Sequence, residues 1–113
     1  MREPTYYILA ALLDEPMHGY AIIKHAAKAS QGRVNLAVGT LYGALDRLAG
    51  EGRIAVDREE TVEGRTRRYY RLTDLGRQAL LDEAARMQHA ASIVTRRLAH
   101  PTAGLVTPTA GLA

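Results

Sequence analysis

The sequence predicts a mainly α-helical domain with one β-hairpin and a long closing helix. Three observations carry this. Apolar residues recur at helical spacing through the first fifty positions, punctuated by Pro16, Gly32 and the Gly50-Glu51-Gly52 turn. Residues 53–72 then alternate about Gly64, as two strands joined by a tight turn would. From Leu80 to Leu98 apolar residues return at alternating spacings of four and three, the period of a helix that packs along one seam.

Each element has its own signals. The first helix starts near Pro4, a good first-turn residue because its missing N–H would have no helical partner there. Tyr6, Leu9, Leu12 and Leu13 would share a face beside Ile8, with Asp14-Glu15 as the turn and Pro16 as the end. A second helix is expected from Gly19 to Ser30, with Tyr20, Ile23 and Ala27 as its apolar stripe, widened by Ile22 and Ala26. A third covers Val38 to Gly50, and the spacing of Leu41, Leu45 and Leu48 points them into the core together. Thr40, Gly43, Asp46 and Arg47 then point elsewhere, with Tyr42 on the flank. The first strand, Arg53 to Glu59, would turn Ile54 and Val56 inward. Thr61 to Thr66 forms the hairpin tip. On the return strand Tyr70 and Leu72 take one face, and Arg67, Tyr69 and Arg71 the other. Thr73 is placed to cap the last helix, with Asp74 at its positive end. The repeat Pro101-Thr102-Ala103-Gly104-Leu105 and Pro108-Thr109-Ala110-Gly111-Leu112 has no core pattern and is expected to be a disordered tail.

Composition narrows the chemistry. A chain of 113 residues suits one domain. A dimer would let so short a chain bury more apolar surface. Lys and Arg exceed Asp and Glu by 15 to 12, but the placement says more than the excess. Arg65, Arg67, Arg68 and Arg71 fall within one strand, a patch suited to a polyanion such as nucleic acid. With no cysteine there is no disulfide, thiolate zinc site or cysteine nucleophile. The longest apolar run, Tyr6 to Leu13, is too short to cross a bilayer, and no secretory signal pattern is present, so a cytoplasmic protein is expected. His18, His25, His89 and His100 are scattered without metal-ligand spacing. Ser30 and Ser92 lack a nucleophile-elbow context, and no phosphate-cradling glycine loop occurs, so neither an enzyme nor a cofactor is expected.

The order helix, helix, helix, strand, strand, long helix is that of a winged helix-turn-helix with a C-terminal dimerisation helix. Residues 1–73 would form the DNA-binding domain, 74–100 the dimerisation helix and 101–113 the tail. On this reading Thr40, Gly43 and Arg47 face a major groove and Tyr42 donates its hydroxyl to a phosphate. Short side chains let the backbone approach the duplex, and Arg47 can pair with a phosphate or a guanine edge. Arg65, Arg67 and Arg68 flank the hairpin turn, where they can reach a sugar-phosphate backbone or a minor groove. The seam of Leu80, Ala84, Met87, Ala91, Val94 and Leu98 would pack on a second copy of itself or on helix one of a partner, which brings Leu9 into the interface. Tyr6, Tyr7 and Tyr20 could line an aromatic ligand pocket with Met87. Tyr7 is the best placed because it lies off the main stripe, and for Tyr20 core packing is favoured instead. The alternative for helix three is an ordinary amphipathic helix. For the whole chain it is a protein-interaction or architectural module without specific operator binding.

The motifs also resemble those of the PadR-type transcriptional regulators. The resemblance rests on Met17-His18-Gly19-Tyr20 before Ile22-Ile23, on Gly39-Thr40-Leu41-Tyr42 with Leu45 and Leu48, on Gly52-Arg53-Ile54, and on Arg67-Arg68-Tyr69-Tyr70-Arg71-Leu72-Thr73 with Gly76. It extends from about Thr5 to Leu98. Two departures fall where a groove would be read: Gly43 stands where the family often has proline, and Ala37-Val38 where it often has a serine-containing cap. The single C-terminal helix is similar to the smaller members. The resemblance implies a homodimeric repressor on an inverted-repeat operator, released by a small hydrophobic or aromatic effector near the dimer interface.

Overall fold

The computed structural model describes residues 1–99, and the expected tail at 101–113 lies outside them. The elements are α1 (Glu3–Ala11), β1 (Met17–His18), α2 (Gly19–Ala29), α3 (Val38–Gly50), β2 (Ile54–Val62), β3 (Arg65–Leu72) and α4 (Asp74–Ala99). The chain forms two compact units, Met1–Leu81 and a second beginning at Asp82.

The first unit is a winged helix-turn-helix. Its core joins Ile8, Leu9, Ala11 and Leu12 of the α1 region to Ile22 of α2, the three leucines of α3, Ile54, Tyr70 and Leu80. Leu41, Leu45 and Leu48 are fully buried, as their spacing requires. The α2–α3 connection is fastened by buried Ser30, whose hydroxyl accepts from the Val34 amide at 2.8 Å and donates to the Ala27 carbonyl at 3.3 Å.

Three expectations are corrected. α1 stops at Ala11, well before Pro16; Ile8, Leu9 and Leu12 are buried with Tyr6 packed against them, but Leu13 is exposed and Thr5 and Ala11 take part in the buried face instead. On α2 the buried face is Gly19, Ile22 and Ala26, which leaves Tyr20 66 % exposed instead of in the core. Val56 pairs with Tyr70 on the edge strand of the sheet but is not in the core: it stays 46 % exposed, and β2 bulges beyond it, between Val56 and Arg58.

The sheet order is β1-β3-β2, all antiparallel, with β3 in the centre. The hairpin is longer than the sequence suggested: pairing runs out to Val62 and Arg65, so the loop shrinks to Glu63-Gly64. Both residues have positive φ, 51° and 78°, the geometry that matches the twist of a two-residue hairpin and that glycine adopts without strain. β1 was not foreseen. Met17 and His18 pair with Tyr70 and Tyr69, covering only those two positions of the β3 edge.

At the root of the hairpin Thr73 caps α4, its hydroxyl accepting from the Gly76 amide at 3.0 Å and donating to the Gly52 carbonyl at 2.6 Å. α4 then runs unbroken to Ala99. Leu9 and Leu80, both expected at a dimer seam, belong to the core of the first unit and are fully or almost fully buried. In the second unit, described by itself, Met87, Ile93, Val94 and Leu98 are exposed apolar side chains, Leu98 reaching 75 %.

Candidate nucleic-acid interface

Because β1 covers only Tyr69 and Tyr70, the β3 edge from Arg65 to Arg68 stays open. Beside it the amino terminus of α2 and one flank of α3 complete an open groove of about 770 Å³. Its walls are His18, Gly19, Tyr20 and Tyr42 on the helical side and Arg65, Thr66, Arg67 and Arg68 on the hairpin side.

The wing arginines are not equivalent. Arg68 donates from Nε to Glu59 at 2.9 Å, a pair set by the register that places those residues opposite each other. Arg58 is tied to Glu60 at 3.1 Å and Asp57 at 3.2 Å, and its guanidinium stacks 3.9 Å from the Tyr69 ring centre. The Arg58 bond holds the Glu60 carboxyl below its usual range, helped by a bond from Tyr69. Arg65 and Arg67 have no ion-pair partner among the described residues. Between positions 57 and 71 four acids face five arginines, and with Arg58 and Arg68 occupied the cationic character of the wing comes from Arg65 and Arg67 near the tip and Arg71 nearer the root.

The outward face of α3 is nearly bare. Thr40, Tyr42, Gly43 and Arg47 are all exposed. A side chain at Gly39, Gly43 or Gly50 would meet open space. Tyr42 lies on the groove flank. Arg47 lies on the other, where it donates to the Thr5 hydroxyl at 3.1 Å and sits 3.8 Å from Glu51. There it joins a notch lined also by Arg2 and Arg53. This position suits a phosphate contact better than the guanine contact that the sequence left open, because the guanidinium is drawn sideways towards α1.

His18 caps α2. Its Nδ1 accepts the Ala21 amide at 3.4 Å, which requires that nitrogen to be unprotonated, and its ring meets Tyr69 edge-on at 5.4 Å. Burial first, and the charge of Arg67 second, push its pKa below the ordinary 6.5, while Glu60 opposes them. Tyr7 is half-buried and packs edge-on against Tyr6 at 5.5 Å. Met87 is exposed on α4. Among the described residues no three His, Asp or Glu side chains gather as a metal site, and no helix is long and apolar enough to cross a membrane.

The model of the PadR-like transcriptional regulator family matches residues 8–82, the whole of the helix-turn-helix, the wing and the start of α4. The chain belongs to this family. A transcriptional regulator of Mycobacterium tuberculosis is 34 % identical over 98 residues, which span 87 % of each chain. The PadR of Bacillus subtilis, solved in complex with operator DNA, is 27 % identical with a TM-score of 0.66 over 74 % of this chain and 47 % of that one. A PadR-family regulator of Eggerthella lenta is 29 % identical with a TM-score of 0.67, covering 83 % of this chain and 80 % of its own. PadR-family members regulate transcription, so the chain is a transcriptional regulator and not an enzyme.

The groove of this PadR-family chain brings together Tyr42, Arg65, Arg67 and Arg68, and leaves Thr40, Gly43 and Arg47 on the adjoining face of α3. No local pattern in the sequence places His18, Gly19 or Tyr20 in that groove, or shows that Glu59 and Glu60 occupy Arg68 and Arg58. The acids were visible in the sequence, but the strand register that sets them opposite the arginines was not.

Proposed function

We propose that this PadR-family regulator is a ligand-responsive repressor that binds an inverted-repeat operator as a homodimer. Residues 1–73 bind DNA and residues 74–100 dimerise. In each half-site α3 enters the major groove with its bare Gly39–Gly43 face. Tyr42, Arg65, Arg67 and Arg68 take backbone phosphates on one side of it, and Arg47 takes one on the other. The observation that carries this reading is an unobstructed helix face adjoining a groove that holds two uncommitted arginines. A protein-binding version of the fold has no need to leave Arg65 and Arg67 unpaired, which favours DNA over the interaction-module alternative.

The dimer seam is Ala84, Met87, Ala91, Val94 and Leu98, with Leu9 and Leu80 released from it to the core. Burying the exposed apolar side chains of that seam gives each protomer a reason to find a copy of itself, since each large apolar side chain gains about 1.5–3 kcal/mol on full burial. The pairing would set the half-sites about one helical turn, or a multiple of it, apart. A small hydrophobic or aromatic effector, with Tyr7 and Met87 as its proposed contacts, would favour a dimer arrangement in which that spacing is lost.

The test is a gel-shift titration across salt concentrations against the duplex upstream of the protein's own gene. Arg67→Ala weakens binding to every sequence and flattens the log–log salt slope by about 0.9. Arg68→Ala does less, because Glu59 already holds that guanidinium. Unchanged binding by Arg67→Ala defeats the wing assignment.

A further inference from the structure

Gly19 opens α2, and nothing about helix formation asks for glycine there: its φ lies outside the left-handed region. The reason is the space beside it. A Cβ at this position would lie 2.7 Å from the Tyr42 hydroxyl oxygen, 3.0 Å from Cζ of the same ring and 3.1 Å from Cδ2 of Leu41. The end of the Tyr42 phenol therefore occupies the volume that a side chain at position 19 would take. Leu41 is fully buried and holds α3 against α2 from below, while Tyr42 is exposed above it and rests on Gly19. Gly19 and Tyr42 line the groove that also holds His18 and Arg67.

We propose that Gly19 is a positioning residue for Tyr42: by contributing no side chain at the first position of α2, it lets the phenol lie against that helix's amino terminus and fixes the hydroxyl in the groove, where it donates to a DNA phosphate. This rests on the reading of the groove as a DNA-backbone site. Any larger residue at position 19 lifts the hydroxyl away, although the phenol itself stays in the chain.

The experiment is a double-mutant cycle read by fluorescence anisotropy, with a labelled mixed-sequence duplex titrated at several salt concentrations. Loss of a hydroxyl's hydrogen bond to a charged phosphate corresponds to roughly a ten- to hundredfold weakening for both Gly19→Ala and Tyr42→Phe. The salt slope stays as in the unmodified protein, because no charge is withdrawn. In the Tyr42→Phe background Gly19→Ala causes no further loss, since there is no hydroxyl left to misplace. Three results would overturn the proposal: unchanged affinity of Gly19→Ala with Tyr42 intact, an equal loss on the Tyr42→Phe background, or a flattened slope that implicates the arginines instead. If Gly19→Ala does not fold, the pair Gly19→Ala/Tyr42→Ala relieves the ring contact and is compared with Tyr42→Ala alone. Equal affinity supports the role of Gly19, and a further loss overturns it. Should the unmodified protein bind the duplex without salt dependence, the DNA reading itself falls. Should it bind with the expected slope, and Arg67→Ala flatten that slope, while Gly19→Ala binds normally, only this inference falls.

Discussion

Gly76→Ala should destabilise the fold, and the sign of the effect is itself informative. Alanine in a helix is favoured over glycine by up to about 1 kcal/mol, so with open space around it the substitution would stabilise. At Gly76 the space is filled. An added Cβ would lie 1.9 Å from the Arg53 carbonyl oxygen, 2.8 Å from its carbon and 3.0 Å from Cδ1 of Leu72. The first two neighbours are backbone and cannot rotate away. Nor can that backbone retreat cheaply. The Arg53 carbonyl accepts the Thr73 amide at 3.1 Å, and the Arg53 amide donates to Leu48 at 2.9 Å. Thr73 in turn bridges Gly52 and Gly76. Overpacking of this kind costs about 1–3 kcal/mol. Losing one of these hydrogen bonds adds about 0.5–1.5 kcal/mol. After the helix-propensity gain the net loss is about 0.5–3.5 kcal/mol, and the central value near 2 kcal/mol is roughly an 8–16 °C fall in Tm for a domain of this size. Thermal unfolding followed by circular dichroism at one fixed protein concentration measures it, the concentration being held because dimerisation shifts Tm. An unchanged or raised Tm would refute the account of the hairpin root as a backbone latch between β2 and α4.

Other substitutions separate fold from function. Gly43→Ala meets open space within α3, so it should raise stability by about 0.5–1 kcal/mol while weakening operator binding; a stabler protein with unchanged affinity would remove the close-approach role of that face. His18 should make the fold acid-sensitive. Its folded pKa is lowered, so its contribution is fully present above the ordinary value of 6.5 and is lost as pH falls through the folded value, when protonation of Nδ1 also removes the α2 cap. Denaturation curves across that range should decline with falling pH, and His18→Asn, which keeps a capping oxygen without titrating, should flatten the decline. Val94→Glu places a charge in the proposed seam, so sedimentation should show dissociation to monomers; a persistent dimer would move the interface elsewhere.

The residues that were legible in the sequence were those whose role follows from local periodicity. Leu41, Leu45 and Leu48 could share only one helix face, and α3 occupies the bounds their spacing gave it. Thr73 was placed to cap α4 because a hydroxyl ahead of a helical run satisfies a free amide of the first turn. Tyr20, Leu9 and Leu80 went astray for a common reason. A stripe two or three residues wide does not say which edge meets the core, and an exposed seam and a buried one have the same spacing. For Leu9 and Leu80 the first unit's own core took the side chains before any partner could.

By itself, then, the sequence determined the order of elements, the inward face of α3 and the gathering of arginines on β3, because each depends on neighbours within a few positions along the chain. Tertiary structure alone decided which arginines are available, through a register that sets Glu59 against Arg68 and leaves Arg67 opposite a Glu60 already bound to Arg58. It also decided what a side chain at residues 19 and 76 would meet. In each case the atom comes from a distant part of the chain, the Tyr42 phenol for one and the Arg53 carbonyl for the other. Contacts of that range arise only when the helices and the hairpin close on a shared core.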